Sequence, residues 1–208
     1  MSADSTLLSF IFSEFSRGTV FFAEDLESTG LSPEDIRFSL SRIVSDETGI
    51  VRLARGVYCF AKIQEGSGKL LLPSVDSIAE SLARRWRVRI APCGAQAAYL
   101  AGFTGIQTHQ NTWVSDGSDQ TFHLQNGVEI RFLRRKSLKV FQFKSVRMRN
   151  LVEALRYIGK DGLHVEDREA AAKALQQVSD DEFAADIRLA PLWIRELLRE
   201  IRGTAACR

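Results

Sequence analysis

Apolar residues near the start of the chain recur at the spacing of a helix. Leucine, isoleucine and phenylalanine line one side of residues 6–15, which predicts a first helix, and Arg17-Gly18 ends the run. A short apolar link at residues 20–22 then leads into a brief second helix at residues 23–27, which ends at the turn 28–30. The first thirty residues are therefore expected to form two helices joined by a short link.

A third helix is marked most clearly by its first residues. Ser32 suits the capping position and Pro33 the first helical position, and Asp35 brings negative charge to the positive end of the helix dipole. The pattern predicts a helix that runs to about Val44, with a buried stripe of Ile36, Leu40, Ile43 and Val44. The opposite face is expected to be small, polar and basic, and to expose Arg37, Ser39, Ser41 and Arg42. The pattern assigns Phe38 to neither face.

Two short apolar runs after this helix predict a β-hairpin. Residues 50–51 and 57–60 are strand-like and are joined across residues 52–56, with Gly56 at the turn. Helix, short helix, capped helix and hairpin, in that order, are typical of a winged helix-turn-helix domain, here at residues 1–62. In that fold the third helix can lie in the major groove of DNA, while the hairpin reaches the backbone or the minor groove.

The expected DNA contacts follow from this arrangement. Arg37 and Arg42 would contact guanine edges or phosphates, because the exposed face of the third helix has no Asn, Gln or Lys. Arg52 and Arg55 on the hairpin are the expected phosphate contacts. The predicted surface on this domain comprises Arg37, Ser39, Ser41, Arg42, Arg52 and Arg55. The same helices and hairpin could instead form a protein-docking module with a solvated basic surface.

Beyond this domain, helical and strand patterns alternate. Glycine and serine interrupt the pattern at residues 63–72, which we interpret as a linker. Residues 73–149 are then expected to form an α+β domain. Its predicted helices are 75–86 and 95–101, and its predicted strands are 88–90, 112–115, 121–125 and 128–133. Asn126-Gly127 between the last two strands favours a type I′ turn.

The C-terminal part of the chain is predicted to be helical and to pack on the middle domain. Within residues 150–208 and just before them, helical patterns cover 148–157, 164–177 and 180–201, and Pro191 should break the last one. The fold class predicted for the whole chain is therefore α+β, with a winged helix-turn-helix at its N-terminus.

Charge is distributed unevenly over these segments. The 208 residues carry 28 Lys and Arg against 26 Asp and Glu, a formal charge of +2, which argues against a uniformly basic coat for nucleic acid. Residues 131–149, however, hold eight Lys and Arg and no acid. Arg135 and Lys136 in this run could extend the DNA footprint, pair with acids of the C-terminal helices, or bind an acidic protein surface.

No motif of an enzyme or a metal site is present. A nucleotidyltransferase would need two carboxylates one residue apart after the Gly-Ser of residues 116–119, and no such pair follows before Asp180. The histidines lack partners at motif spacing: His109, His123 and His164. The cysteines are widely spaced and form no C-x-x-C: Cys59, Cys93 and Cys207. We therefore predict no catalytic residue, no metal and no cofactor.

The same sequence gives no indication of a membrane location. No apolar stretch approaches the roughly 18 residues that a transmembrane helix requires. The first residues have no basic region and no small-residue cleavage site of the kind that a signal peptide carries. A cytoplasmic protein without membrane contact is expected.

Several short motifs occur in a distinctive order. The hairpin ends Leu-Ala-Arg-Gly-Val-Tyr at 53–58, Pro73-Ser74 precedes Arg84-Arg85, and three further motifs stand at 92–97, 102–104 and 112–117, reading PCGAQA, GFT and TWVSDG. In this order the motifs, over roughly residues 6–160, resemble the AbiEi-like antitoxins of bacterial type IV toxin–antitoxin systems. The chain departs from that family at Cys93, where a serine is usual, at residues 101–104, which replace Leu-Gly-Leu-Ser, and in lacking the usual following proline.

The resemblance implies a transcriptional autorepressor that binds repeats in the promoter of its own operon. It also implies a partner, a nucleotidyltransferase-like toxin encoded by the neighbouring gene, which the remaining part of the chain helps to neutralise. It supplies no catalytic residues, and the DNA contacts that it implies fall on the third helix and the hairpin. The alternative is an interaction module that neutralises a partner protein without sequence-specific DNA binding. Whether the chain is a monomer or an oligomer stays open.

Overall fold

The chain is a mixed α+β protein, as predicted. The computed structural model describes residues 2–103 and 111–206. Thr104, His109 and Cys207, which figured in the predictions, lie outside the described residues. The chain divides into two compact units, the first comprising Met1–Trp86 with His123–Glu129, and the second comprising Arg87–Phe122 with Ile130–Arg208. None of the helices in the described ranges has the length and apolar content that crossing a lipid bilayer requires.

The first unit contains three α-helices and two small sheets. Its elements in chain order are α1 (Ala3–Glu14), β1 (Thr19–Phe22), a 3₁₀ helix (Ala23–Thr29), α2 (Pro33–Ile43), β2 (Ile50–Ala54), β3 (Val57–Phe60), β4 (Lys62–Ile63), β5 (Leu70–Leu71) and α3 (Val75–Trp86). β1, β3 and β2, in that order, form a three-stranded antiparallel sheet, and β4 and β5 form a separate pair. The predicted bounds of the helix at 75–86 are confirmed.

One buried cluster joins α1 and α2 to the three-stranded sheet of this unit. Leu7 and Ile11 of α1 pack with Phe21 of β1 and with the buried side of α2, which contributes Ile36, Leu40 and Ile43. The predicted stripe of α2 is thus confirmed at these three positions, whereas Val44 follows the helix and is only partly buried. Burial of these apolar side chains is the main favourable contribution to the stability of the unit.

Two elements of this unit differ from the predictions. α1 begins before the predicted residue 6 because the hydroxyl of Ser2 accepts a hydrogen bond from the Ser5 amide and caps the helix. The predicted link at residues 20–22 is part of strand β1, since Phe21 and Phe22 pair with Tyr58 and Val57 of β3. The partner strand lies more than thirty residues away, so local periodicity does not reveal it.

The interval predicted as a linker also holds structure. Ile63 of β4 pairs with Leu70 of β5, and the Gln64 amide donates to the Lys69 carbonyl, 2.8 Å away, so that this interval forms a small hairpin. α3 follows it and lies in the first unit, whereas the predicted α+β domain begins at residue 73. The predicted domain boundaries stay predictions.

The second unit contains a sheet and the C-terminal helices. Its elements are β6 (Ile90–Pro92), α4 (Gly94–Leu100), β7 (Asn111–Ser115), β8 (Gln120–His123), β9 (Glu129–Arg134), a 3₁₀ helix (Leu138–Phe141), α5 (Val146–Ile158), α6 (Val165–Gln176), α7 (Asp180–Asp186), a 3₁₀ helix (Ile187–Leu189) and α8 (Leu192–Ala206). The sheet order is β6-β7-β9-β8, and β7 runs parallel to β9. The predicted helices and strands of this unit lie within about two residues of their observed bounds, except that α8 ends at Ala206, five residues beyond the predicted end. The predicted break at Pro191 is confirmed, because α8 begins directly after it.

The turn between β8 and β9 is not the predicted type I′ turn. The Leu124 amide donates to the Val128 carbonyl at 2.8 Å, and the Gly127 amide donates to the Leu124 carbonyl at 3.0 Å, so three residues form the loop. Gly127 has a positive φ of 82°, whereas Arg87 is the one non-glycine among the described residues with a positive φ. A type I′ turn would also require a positive φ at Asn126, so the prediction was wrong.

Candidate nucleic-acid interface

The start of α2 is capped as the sequence predicts. The Ser32 hydroxyl accepts a hydrogen bond from the Asp35 amide at 3.1 Å and donates one to the Asp35 carboxylate at 2.6 Å. Pro33 occupies the first helical turn. The cap sets the residue at which the helix begins, and with it the direction of every later side chain on α2.

The solvent-facing side of α2 carries two exposed arginines and an exposed phenylalanine. The side chain of Arg37 is 68% exposed, and the Glu34 carboxylate one turn earlier lies 4.0 Å from it. Phe38 is 67% exposed. Ser41 is exposed as well, although its hydroxyl donates to the Phe38 carbonyl at 2.7 Å. We call Arg37, Phe38, Ser41 and Arg42 the α2 surface.

Ser39 does not belong to the α2 surface, and its assignment to the predicted DNA-binding face was wrong. Its side chain is fully buried, because Ile36, Ser39, Leu40 and Ile43 stand at the spacing of one helix face. The spacing of Ser39 along the sequence indicates burial, and the prediction fails because it gives more weight to the polarity of the side chain.

Arg42 is exposed but forms an ion pair with a residue of another helix. Its Nε and Nη2 atoms donate to the two carboxylate oxygens of Asp4 in α1, at 2.9 and 2.7 Å. These hydrogen bonds hold the pKa of the Asp4 carboxyl below its ordinary value. The Arg42 side chain is 60% exposed, so its guanidinium can still approach a phosphate, in competition with Asp4. Asp4 is a functional candidate that sequence reasoning missed, since 38 positions separate it from Arg42.

The β2–β3 hairpin exposes the two predicted arginines in different settings. Arg55 is exposed in the tight turn, where Gly56 adopts a positive φ of 76° that suits glycine. Arg52 lies within β2, opposite Tyr58, and its Nε donates to the Ala54 carbonyl at 3.3 Å. β2 therefore extends beyond the predicted residues 50–51, and the turn is shorter than predicted.

In the second unit, the structure separates the two basic candidates. Arg135 Nη1 lies 2.7 Å from both carboxylate oxygens of Glu153, a residue of α5 whose side chain is 2% exposed. A buried carboxylate requires cationic partners, because an unpaired buried charge is strongly unfavourable, and Arg156 Nε lies 3.6 Å from the same carboxylate. Of the three roles considered for Arg135, pairing with an acid of the C-terminal helices is the one that the structure shows, and its contact with DNA stays a prediction. Lys136 is exposed and stays a candidate.

The turn at residues 116–119, which contains the Gly-Ser pair of a candidate enzymatic motif, has its two aspartates in structural hydrogen bonds. The Asp116 carboxylate accepts hydrogen bonds from the Arg89 amide and from its Nε, both at 2.8 Å. The Asp119 carboxylate accepts one from the Arg134 amide at 2.7 Å. Across the part of the chain that the structure describes, no three His, Cys, Asp or Glu side chains converge in a way that could hold a metal ion.

Comparisons with known proteins identify a family and a similar fold. A model described as a family of unknown function (DUF6088) matches residues 9–183, which contain α2 and the β2–β3 hairpin. The crystal structure of the RV2827C protein from Mycobacterium tuberculosis is similar at a TM-score of 0.52 and 16% identity, and the alignment covers 97% of this chain and 78% of that chain. At that identity the likeness supports the fold alone. No protein with a curated description matches the chain.

Cys59 and Cys93 are buried free thiols. Burial raises the pKa of each to about 11. The Cys93 thiol also donates a weak hydrogen bond to the Thr112 carbonyl, 3.6 Å away. Because the thiolate is the nucleophilic form, neither residue is activated for covalent chemistry near neutral pH.

We expect Cys59 and Cys93 to resist thiol reagents in the native protein at pH 8. A thiol with a pKa of about 11 is only about 0.1% thiolate at that pH. In a Cys207→Ser background, Ellman's reagent should therefore react far more slowly with native protein than with glutathione, and should find two thiols after denaturation in guanidinium. Reaction of either native thiol at the rate of glutathione would contradict the raised pKa.

Proposed function

The chain belongs to the DUF6088 family of unknown function, and from that premise we propose that its first unit is a winged helix-turn-helix domain that binds double-stranded DNA. The order α1, β1, 3₁₀ helix, α2, β2 and β3 supports the proposal, and so does the antiparallel sheet order β1-β3-β2. In this interpretation α2 is the recognition helix and the β2–β3 hairpin is the wing.

The α2 surface is the observation that carries the proposal. The two faces of α2 differ sharply in burial. Ile36, Leu40 and Ile43 are buried on one face, and Arg37 and Arg42 are exposed on the other. An α-helix with its side chains is about 10–12 Å wide, and the major groove of B-DNA is about 12 Å wide. A cationic helix face of this kind matches the groove in both width and charge.

Acidic residues limit which part of α2 can approach DNA. Glu34 and Asp35 stand in the first turn of the helix, and both are exposed. Carboxylates are repelled by phosphates, so we propose that the middle of α2, from Arg37 to Arg42, enters the groove. Arg55 at the tip of the short wing then contacts a phosphate, which positions the domain without reading sequence.

The wider function that we propose rests on the resemblance to AbiEi-like antitoxins. The protein would repress its own operon from the cytoplasm and would counteract a nucleotidyltransferase-like toxin encoded next to it, without catalysing a reaction itself. The alternative function is neutralisation of that partner without sequence-specific DNA binding. Exposed Lys136 offers a contact for an acidic partner surface in either case.

Substitutions of Arg37 and Arg55 should weaken DNA binding in different ways. Arg37→Ala should reduce the preference for the duplex upstream of the gene over a random duplex by roughly 10-fold, because a lost base contact costs about 1–3 kcal/mol. Arg55→Ala should weaken binding to both duplexes alike and lower the log–log salt slope by about 0.9, the value for one phosphate contact. Fluorescence anisotropy titrations at several salt concentrations measure both effects.

Arg199→Ala is the matched control for these titrations, since Arg199 is an exposed cation on α8 that the proposal leaves away from DNA. It should leave affinity and salt slope unchanged. If the wild-type protein shows no preference for the upstream duplex over random DNA, the proposal of a specific repressor fails.

Asp4→Asn should strengthen DNA binding. The substitution removes an acid beside the α2 surface and releases Arg42 from its ion pair. We expect affinity to rise about two- to fivefold, the scale of one exposed ion pair. Glu14→Gln, which removes another exposed acid of α1, is the control for net charge. Weaker binding of Asp4→Asn would instead mean that Asp4 orients Arg42, and an Arg42→Ala background should abolish either effect.

Co-purification tests the antitoxin part of the proposal. The neighbouring gene product should be retained by the full-length tagged chain, and Lys136→Glu should lower that retention if this lysine contacts the partner. Arg135→Glu is unsuitable for this purpose because it would place a second carboxylate against buried Glu153. An unretained neighbour, or one unrelated to nucleotidyltransferases, would leave only the DNA-binding regulator.

A further inference from the structure

Phe38 is the one residue of the α2 surface whose side chain is apolar. It lies on α2 between Arg37 and Arg42, and two thirds of it is exposed to solvent. Contact of a phenyl ring with water is unfavourable, so a ring in this position gains free energy when a ligand covers it. The sequence pattern assigns Phe38 to neither face of α2, and the structure places it on the solvent side.

We propose that Phe38 contacts the 5-methyl group of a thymine in the major groove and so determines part of the DNA sequence that the protein prefers. This inference rests on the proposed DNA-binding function. The thymine methyl is the apolar group that base edges present in the major groove, and phenylalanine is among the side chains that contact it. Arg37 and Arg42 would read or anchor the neighbouring polar positions.

The spacing of the three side chains fits this role. Arg42 follows Phe38 by four residues, one turn or about 6 Å along the helix axis, which corresponds to about two base-pair steps of 3.4 Å. Arg37 precedes Phe38 directly. The arginines on either side of Phe38 would thus fix the position of α2 along the groove. The phenyl ring between them would contact one base step.

The charges around Phe38 are complementary to those of DNA. The phosphates that border each groove attract cations and supply a large share of the affinity of a protein for DNA. Here two exposed arginines flank the ring on the same helix face, and Arg37 retains most of its exposure. A negatively charged ligand with an apolar group in its groove satisfies both features, and thymine-containing DNA is such a ligand.

Replacement of thymine by deoxyuridine tests the contact, because deoxyuridine lacks only the methyl group. The full-length protein is titrated by anisotropy with the upstream duplex, with the same duplex carrying deoxyuridine in place of every thymine, and with a random duplex. We expect the wild-type protein to bind the deoxyuridine duplex about fourfold more weakly, the effect of one buried methyl group. Phe38→Ala should bind both upstream duplexes equally, at the wild-type affinity for the deoxyuridine form.

Two control variants isolate the contact. Leu192→Ala removes an apolar side chain of similar exposure on α8 and should leave the discrimination unchanged. Phe38→Leu should keep part of the discrimination between the thymine and deoxyuridine duplexes. Both Phe38 variants should unfold at the wild-type temperature, because the side chain is outside the core.

The outcomes separate this inference from the function on which it rests. Specific binding of the upstream duplex with no effect of deoxyuridine would overturn the thymine contact and leave the DNA-binding proposal intact. Equal discrimination by wild type and Phe38→Ala would assign the methyl contact to another residue and overturn the inference. Loss of binding to the neighbouring gene product in Phe38→Ala, with no change in thymine discrimination, would assign the ring to a protein interface instead. No preference for the upstream duplex over random DNA would overturn the proposed function, and the thymine contact with it.

Discussion

The burial of one side of α2 is the constraint on which the candidate interface depends. Ile36, Leu40 and Ile43 are enclosed in a core that α1 and β1 complete with Leu7, Ile11 and Phe21. Rotation of α2 about its axis would expose these side chains and bury Arg37, and burial of an unpaired arginine is strongly unfavourable. The core therefore determines which residues α2 presents to solvent, although none of the core residues belongs to the surface itself.

Ion pairs decide which of the many cations are available to a ligand. Arg135 is held by buried Glu153, and Arg89 is held by Asp116. Arg42 of α2 forms an ion pair with Asp4 of α1 at the surface of the first unit. The near balance of 28 basic and 26 acidic residues thus reflects, in part, cations that stabilise the fold. A basic run in the sequence is not by itself a basic surface, since its charges can be paired within the protein.

Elements whose determinants lie close together in the chain were predictable. The Ser32 cap with Pro33 defined the start of α2, the bounds of α3 matched the apolar spacing, and Pro191 separated α8 from the preceding helix. The predictions failed where a distant partner decides the outcome, as for β1, which is a strand because β3 pairs with it. They failed also at Ser39, where side-chain polarity outweighed helical position although the spacing indicated burial.

By itself, the sequence determined that α2 exists, where it begins and which stripe of it is apolar, because capping and helical periodicity act over a few residues. It also placed Arg37, Arg42, Arg52 and Arg55 near one another along the chain. Only the tertiary structure decided that Arg42 forms an ion pair with Asp4, that Arg135 forms one with Glu153, and that Phe38 faces solvent. Ion pairing and burial depend on distances between residues that are far apart in the sequence. Folding brings these residues together, so local sequence patterns do not reveal which of them will be in contact.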